Sequence, residues 1–125
     1  MQADYTSMTG RTWYVTTDSM EGAESSESDV MAHLISVRDG SSEFAVIEPE
    51  PESEADFFQT STWTKGVVLG RSYVAEVRIP SDGGFRQLRL RTKDFDAILK
   101  AAERYVHGAS PESAGWEDVT DEFSA

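Results

Sequence analysis

Apolar and polar residues alternate with a period of two over much of this chain. Between residues 72 and 79 the apolar side chains occupy every second position, and Glu76 and Arg78 lie between them. Residues 80–84, Pro-Ser-Asp-Gly-Gly, follow as a turn sequence, and residues 85–91 alternate again. Alternation of this kind on both sides of a glycine-containing turn predicts an antiparallel β-hairpin.

Other stretches also have strand character. Residues 12–17 and 57–63 are rich in β-branched and aromatic side chains, which favour pleated backbone. Residues 31–37 and 43–48 flank the Asp-Gly sequence at 39–40, and Asp-Gly supplies the positive-φ residues of a tight turn. We therefore predict a second hairpin there, with His33 as a half-buried strand residue.

The period changes from 2 to 3.6 after Thr92. One helical stripe then carries the apolar residues Phe95, Ile98, Leu99, Ala102, Tyr105 and Val106, and Gly108 follows as a stop signal. The chain of 125 residues has the usual length of one domain. We expect a single α+β domain at residues 1–125: an antiparallel sheet of about five to six strands with one amphipathic C-terminal helix packed on one face.

Acidic residues are concentrated in three segments. The net charge is −12, from 23 acids and 11 Lys or Arg. Residues 18–29, 48–56 and 109–125 contain five acids each and no Lys or Arg, whereas residues 71–107 contain more basic than acidic side chains. We predict that residues 18–29 and 48–56 are exposed acidic loops and that residues 1–10 and 109–125 are loosely ordered.

Motifs for common chemistry are missing from the sequence. It has no cysteine, no phosphate-binding glycine loop and only two histidines, neither of which is paired with a nucleophile. Asp18, Glu21, Glu24 and Glu27 could supply oxygen ligands, but Met20 and Gly22 occupy positions where a calcium loop needs oxygens. We expect no enzyme activity, no cofactor and no metal site. No apolar run approaches the ~20 residues that span a bilayer, so the expected location is the cytoplasm.

The negative charge bears on the choice of partner. It would repel nucleic acid and anionic membrane surfaces, and it suits a basic protein. The arginines of residues 78–91 are interpreted as partners of nearby acids rather than as a phosphate-binding patch. Trp116 either docks on its own domain or anchors a partner. The candidate partner-binding residues are Asp18, Glu21, Glu24, Glu27, Asp29, Glu48, Glu50, Glu52, Glu54, Asp56, Trp116, Glu117 and Asp118.

Four short stretches carry a resemblance to a known group. They are residues 57–60 (Phe-Phe-Gln-Thr), 73–78 (Tyr-Val-Ala-Glu-Val-Arg), 85–90 with Phe85 and Leu-Arg-Leu at 88–90, and 94–98 (Asp-Phe-Asp-Ala-Ile). In their strand and helix patterning they resemble small acidic bacterial immunity proteins of polymorphic toxin systems, over residues 57–119. The resemblance implies a non-enzymatic protein that occupies the active site or binding surface of a basic toxin, and it assigns no role to a particular residue.

Several hypotheses about function remain open from the sequence. The leading one is an acidic binding protein that inhibits or neutralises a basic partner protein. The alternatives are a nucleic-acid mimic of the anti-restriction or anti-CRISPR kind, a small enzyme or ligand-binding domain with a pocket between sheet and helix, and a structural or regulatory subunit. High acidity is also what solubility or a salt-adapted host would produce. The sequence indicates no oligomeric state.

Overall fold

An antiparallel sheet of seven strands organises the structure. The computed structural model describes residues 12–50, 56–63, 72–109 and 115–123. The sheet has the order β2-β1-β3-β4-β5-β6-β7, and all neighbouring strands are antiparallel. The strands are β1 (Trp13–Thr17), β2 (Met20–Ser25), β3 (Phe44–Glu48), β4 (Phe57–Trp63), β5 (Ser72–Ser81), β6 (Gly84–Thr92) and β7 (Glu117–Asp118).

Two α-helices and one short 3-10 helix complete the described part of the chain. They are α1 (Glu27–Asp39), α2 (Phe95–Val106) and the 3-10 helix Thr120–Glu122. The expected α+β class with an antiparallel sheet is confirmed. The details differ, because the sheet has seven strands rather than five or six and α1 was not predicted. None of the helices in the described ranges is long and apolar enough to cross a membrane.

The hydrophobic core lies between one face of the sheet and both helices. Every second residue of the central strands is buried on this face, which we call the helix face. Val30, Leu34 and Val37 of α1 join the same cluster as the buried stripe of α2. The ring of Tyr105 lies 5.4 Å from that of Trp13 and 5.7 Å from that of Phe58, measured between centroids. Tyr105 thus connects α2 to strands near the middle of the sheet.

The predicted hairpin of residues 31–37 and 43–48 is wrong. Its second segment contains a strand, as predicted, but its first segment belongs to a helix. Residues 27–39 form α1, and Val30, Leu34 and Val37 are buried with the spacing of a helix. The side chain of Ser26 accepts a hydrogen bond from the backbone N–H of Asp29, which caps the helix. Gly40, with φ of 85°, ends it in the left-handed conformation. His33 is accordingly a half-buried helix residue.

The acidic segment 18–29 is also not a loop. It comprises the turn at 18–19, strand β2 and the first turn of α1. Short polar residues and Gly22 obscure the strand pattern, and β2 takes shape by pairing with β1. In segment 48–56, Glu48 ends β3, and residues 51–55 lie outside the described residues, as do residues 1–10 of the N-terminus.

The C-terminal segment pairs with the edge of the sheet. Residues 115–123, which the sequence predicted to be loosely ordered, form β7 and the 3-10 helix beside β6. Trp116 is half-buried and packs against the core, as expected if it docks on its own domain. Val119 is buried, and its N–H donates to the carbonyl of Gln87 at 2.8 Å.

Leu34 distinguishes α1 from the predicted strand. In the helix Leu34 is fully buried, whereas the predicted strand would place His33 on the same face as Val37 and Leu34 on the other. We expect Leu34→Ala to lower the free energy of unfolding by about 2–5 kcal/mol and His33→Ala to change it by less than about 0.5 kcal/mol. Urea denaturation measures both, and a larger loss for His33→Ala would contradict the helix.

Candidate functional site

The sheet face opposite the helices holds the candidate site. No helix packs on it within the described ranges, and we call it the open face. Its side chains lie in rows across the strands, because directly paired residues of antiparallel strands share a face. The longest row runs from β1 to β7 and consists of Thr16, Val46, Gln59, Glu76, Arg89 and Glu117.

A groove of about 400 Å³ lies in the middle of the open face. Its walls combine apolar side chains with polar ones. Within the described part of the chain, the side chains of Gln59 and Ser61 have no hydrogen-bond partner, so both can bond to a ligand. The residues that line this central groove are Thr16, Phe44, Val46, Gln59, Thr60, Ser61, Val74 and Glu76.

One end of the central groove is held by a network of polar side chains. Glu76 accepts hydrogen bonds from Arg89 Nε at 2.8 Å and from Gln87 Nε2 at 2.7 Å. Gln87, which is buried, in turn accepts from Arg78 Nε at 2.7 Å. Both oxygens of Glu76 therefore accept hydrogen bonds. These bonds fix the position of the carboxylate at the side of the groove, and Arg89 compensates its charge.

Arg89 extends this network to the C-terminal segment. Its guanidinium donates to both carboxylate oxygens of Glu122, at 3.0 and 3.2 Å. The bonds to Glu122 and to Glu76 raise the pKa of Arg89 above its ordinary value. Arg86 lies 3.5 Å from Asp118. Pairing of these two arginines with nearby acids agrees with the interpretation drawn from the sequence.

Arg78 stands among aromatic rings beside the network. Its guanidinium carbon lies 3.9 Å from the ring centroid of Phe85, 5.2 Å from that of Phe57 and 5.5 Å from that of Phe123. Contacts of this kind are cation–π interactions. They hold the C-terminal segment to the rim of the open face, because Phe123 follows the 3-10 helix.

Several predicted partner-binding acids have structural roles. Asp18 accepts a hydrogen bond from the backbone N–H of Glu43 at 3.2 Å, and Asp56 accepts from the hydroxyl of Tyr105 at 2.7 Å. Glu27 lies 3.3 Å from His107, which links the start of α1 to the end of α2. Asp29 lies in the first turn of α1, where a negative charge interacts favourably with the helix dipole.

Asp118 stabilises the turn that follows β7. The backbone N–H of Thr120 donates to its carboxylate at 3.0 Å, and the hydroxyl of the same residue donates to the same oxygen. The bonds from Thr120, more than the charge of Arg86, lower the pKa of Asp118. Asp118 and its neighbour Glu117 form β7, the edge strand beside β6.

Two other acids flank an aromatic ring on the open face. Tyr14 of β1 pairs in register with Glu24 of β2 on one side and with Glu48 of β3 on the other. Residues paired in this way have Cβ atoms about 4.5–5.5 Å apart. We call Glu24, Tyr14 and Glu48 the acidic row. Glu21 is exposed on the same edge strand, and Glu50 is exposed after β3.

The thirteen predicted residues do not form one surface. The acidic row lies on the first three strands of the sheet, whereas Glu117 and Asp118 lie on β7 at the opposite edge. Six strand spacings separate the two edges, which is about 29 Å. Glu52 and Glu54 lie outside the described residues. The sequence did not single out Tyr14, Gln59 and Ser61, because alternation marks them only as residues of a solvent-facing strand surface.

A second, smaller depression lies between the helices. It has a volume of about 290 Å³ and lies where α1 begins and α2 ends, with Glu27, Glu103 and His107 on its walls. Glu27 Oε1 is buried and has no hydrogen-bond partner among the described residues. Among the described residues, no three His, Asp or Glu side chains come together in a group that could hold a metal ion.

Comparisons with protein-family models, with curated proteins and with solved structures found no match to this chain. The resemblance to immunity proteins therefore depends on the stretches within residues 57–98 quoted above.

The network around Glu76 should contribute to stability. The side chains of Glu76 and Arg89 are only 15% and 14% exposed, so Glu76→Ala leaves Gln87 and Arg89 without a buried acceptor. We expect a loss of about 2 kcal/mol in the free energy of unfolding, measured by urea denaturation. Glu122→Ala is the control, since that side chain is 52% exposed, and it should cost less than about 1 kcal/mol. Equal losses would contradict the network.

The lowered pKa of Asp118 predicts a pH dependence. The ionised carboxylate is favoured in the folded state, so its stabilising effect is complete above the ordinary aspartate pKa and is lost as the pH falls through the lowered folded pKa. Asp118→Asn should therefore be less stable than the wild type at neutral pH, and the difference should diminish in acid. Urea denaturation across this pH range measures it. Asp121→Asn is the control for removing one charge from the same segment, and the same pH profile in both variants would contradict the role of Asp118.

Proposed function

We propose that this chain is a non-enzymatic binding protein that inhibits a basic partner protein, as immunity proteins do, and that the acidic row holds a cationic side chain of that partner. The observation that carries the proposal is the position of the exposed Glu24 beside Tyr14 on the open face, in register across β1 and β2. An aromatic ring beside an exposed carboxylate attracts an arginine or lysine side chain.

The charge around the acidic row supports this proposal. No Lys or Arg occurs between residues 12 and 37, which include β1, β2 and most of α1. Asp18 and Glu21 add negative charge at the same end of the sheet. A local excess of one sign attracts an oppositely charged protein and raises the rate of encounter. The basic residues of the described chain lie mainly on β5, β6 and α2.

The arrangement of the acids gives less support to a nucleic-acid mimic. A mimic needs carboxylates in rows that reproduce the regular spacing of phosphates along a strand. Here the acids divide between two sheet edges about 29 Å apart, and Asp18, Glu27, Asp56 and Asp118 have roles within the fold. The acidic row is better suited to a single cationic side chain than to a surface that binds duplex DNA or RNA.

Capture from the native cells tests the proposal. The tagged wild-type protein should retain a basic protein at low salt and release most of it at high salt, and it should inhibit the activity of that protein once purified. Tyr14→Ala and Glu24→Gln should each weaken binding by about five- to tenfold, since each removes part of the cation site. Calorimetry or surface plasmon resonance measures the affinity.

Glu117→Gln is the matched control for this experiment. It removes one exposed carboxylate from the opposite edge strand and should leave the affinity within about twofold of the wild type. The proposal is wrong if the captured protein is acidic, if its activity is unchanged by binding, or if the Tyr14 and Glu24 variants bind as tightly as the Glu117 variant.

A further inference from the structure

The central groove contains hydrogen-bonding groups that the fold does not use. The hydroxyls of Thr16 and Thr60 bond to backbone groups, and the carboxylate of Glu76 accepts two hydrogen bonds. The side chains of Gln59 and Ser61, by contrast, have no hydrogen-bond partner in the described chain. Both are therefore available to a bound molecule.

The groove owes its shape to a small residue between two larger ones. On the open face Ser61 pairs in register with Phe44 of β3 on one side and with Val74 of β5 on the other. The Cβ atoms of such neighbours lie about 4.5–5.5 Å apart. Because the serine side chain is short, a hollow lies above it, and its two sides are half-buried and apolar. A flat apolar group fits this hollow and can contact the ring of Phe44.

Gln59 sets the direction in which a bound molecule lies. It is two residues from Ser61 on β4 and therefore on the same face, about 6.8 Å away along the strand. Its terminal amide offers an acceptor oxygen next to a donor nitrogen. A carboxamide on the ligand matches both groups, since it donates to the oxygen and accepts from the nitrogen. The apolar end of the ligand then lies at Ser61 and its polar end points towards Gln59.

The charges around the groove favour an uncharged ligand. Among the described residues that line the groove, Glu76 alone is charged, and Arg89 compensates that charge at 2.8 Å. The exposed acids Asp18 and Glu43 lie past Phe44, outside the lining. A charged group that enters the hollow loses its hydration and gains no opposite charge there.

We infer that the central groove binds a small uncharged molecule that carries a carboxamide, or a similar pair of donor and acceptor, on a flat apolar body. The body lies over Ser61 between Phe44 and Val74, and the polar group pairs with Gln59. The volume of about 400 Å³ is near the lower end of the range for ligand sites, roughly 300–1,000 Å³. The inference goes beyond the proposed function and does not depend on it, because none of these residues belongs to the acidic row.

Four aromatic probes of nearly the same shape test the inference by NMR of the isotope-labelled full chain at neutral pH. Benzamide is uncharged and has both donor and acceptor, whereas benzoate is an anion, benzamidine is a cation and acetophenone lacks the donor. Benzamide should shift the signals of Phe44, Gln59 and Ser61, with a dissociation constant of about 1 mM. Benzoate and benzamidine should bind at least about tenfold more weakly, and acetophenone about three- to tenfold more weakly.

Three variants test the geometry of the groove. Ser61→Phe fills the hollow and should abolish binding, while its control Ser61→Ala keeps the hollow and should weaken binding by less than about fivefold. Gln59→Met keeps the length of the side chain without the amide, so it should reduce the affinity for benzamide to that for acetophenone. A wild-type-like amide spectrum shows that each variant is folded. Glu117→Gln, at the far edge, should bind all four probes as the wild type does.

Several results would overturn the inference. If benzoate or benzamidine binds as tightly as benzamide, the groove does not select an uncharged ligand. If acetophenone binds as tightly and Gln59→Met has no effect, the groove is an apolar patch without polar recognition. Groove signals that move on dilution without any probe would identify a second copy of the chain as the occupant. The inference is also wrong if no probe binds at millimolar concentration. None of these results bears on the capture experiment, which tests the proposed function separately.

Discussion

Both helices pack on the same face of the sheet, and the rest of the structure depends on this constraint. The central strands must present apolar side chains at every second position to meet them, which explains the buried alternation along β1, β3 and β5. The intervening residues then lie on the open face. Because no described helix covers that face, its side chains have to be stable next to water or next to a partner.

The open face meets this requirement differently at its two ends. On β5 and β6, the side chains of Gln87 and Arg89 donate hydrogen bonds to Glu76, so the charges of Glu76 and Arg89 are compensated within the fold. On β1, β2 and β3 the acidic row places one acidic residue on each side of Tyr14. The central groove separates these regions. The half of the face on β5 and β6 is therefore the one whose polar side chains are fixed by bonds within the fold.

Local sequence patterns were sufficient to predict those elements whose structure is decided by residues close together in the chain. The hairpin of β5 and β6 and the helix α2 follow from alternation, a glycine turn and a regular apolar stripe. Helix α1 was missed because Asp39-Gly40 suits a hairpin turn and a helix end equally well, since both need positive φ at glycine. Contact of Leu34 with the core decides between them. Tyr14 and Gln59 were missed for a related reason, as their side chains are ordinary ones for a strand surface.

The sequence by itself determined the net charge, its division into acidic and basic segments, and the periods of the strands and of α2, because these depend on composition and on residues close together in the chain. Only the tertiary structure decided which acids lie together. Glu24 and Glu48 are separated in sequence by the whole of α1, and they meet at Tyr14 because β1 pairs with β2 on one side and with β3 on the other. That register is set by backbone hydrogen bonds between distant segments and by burial of the alternate residues under the helices, and neither is visible in a local pattern.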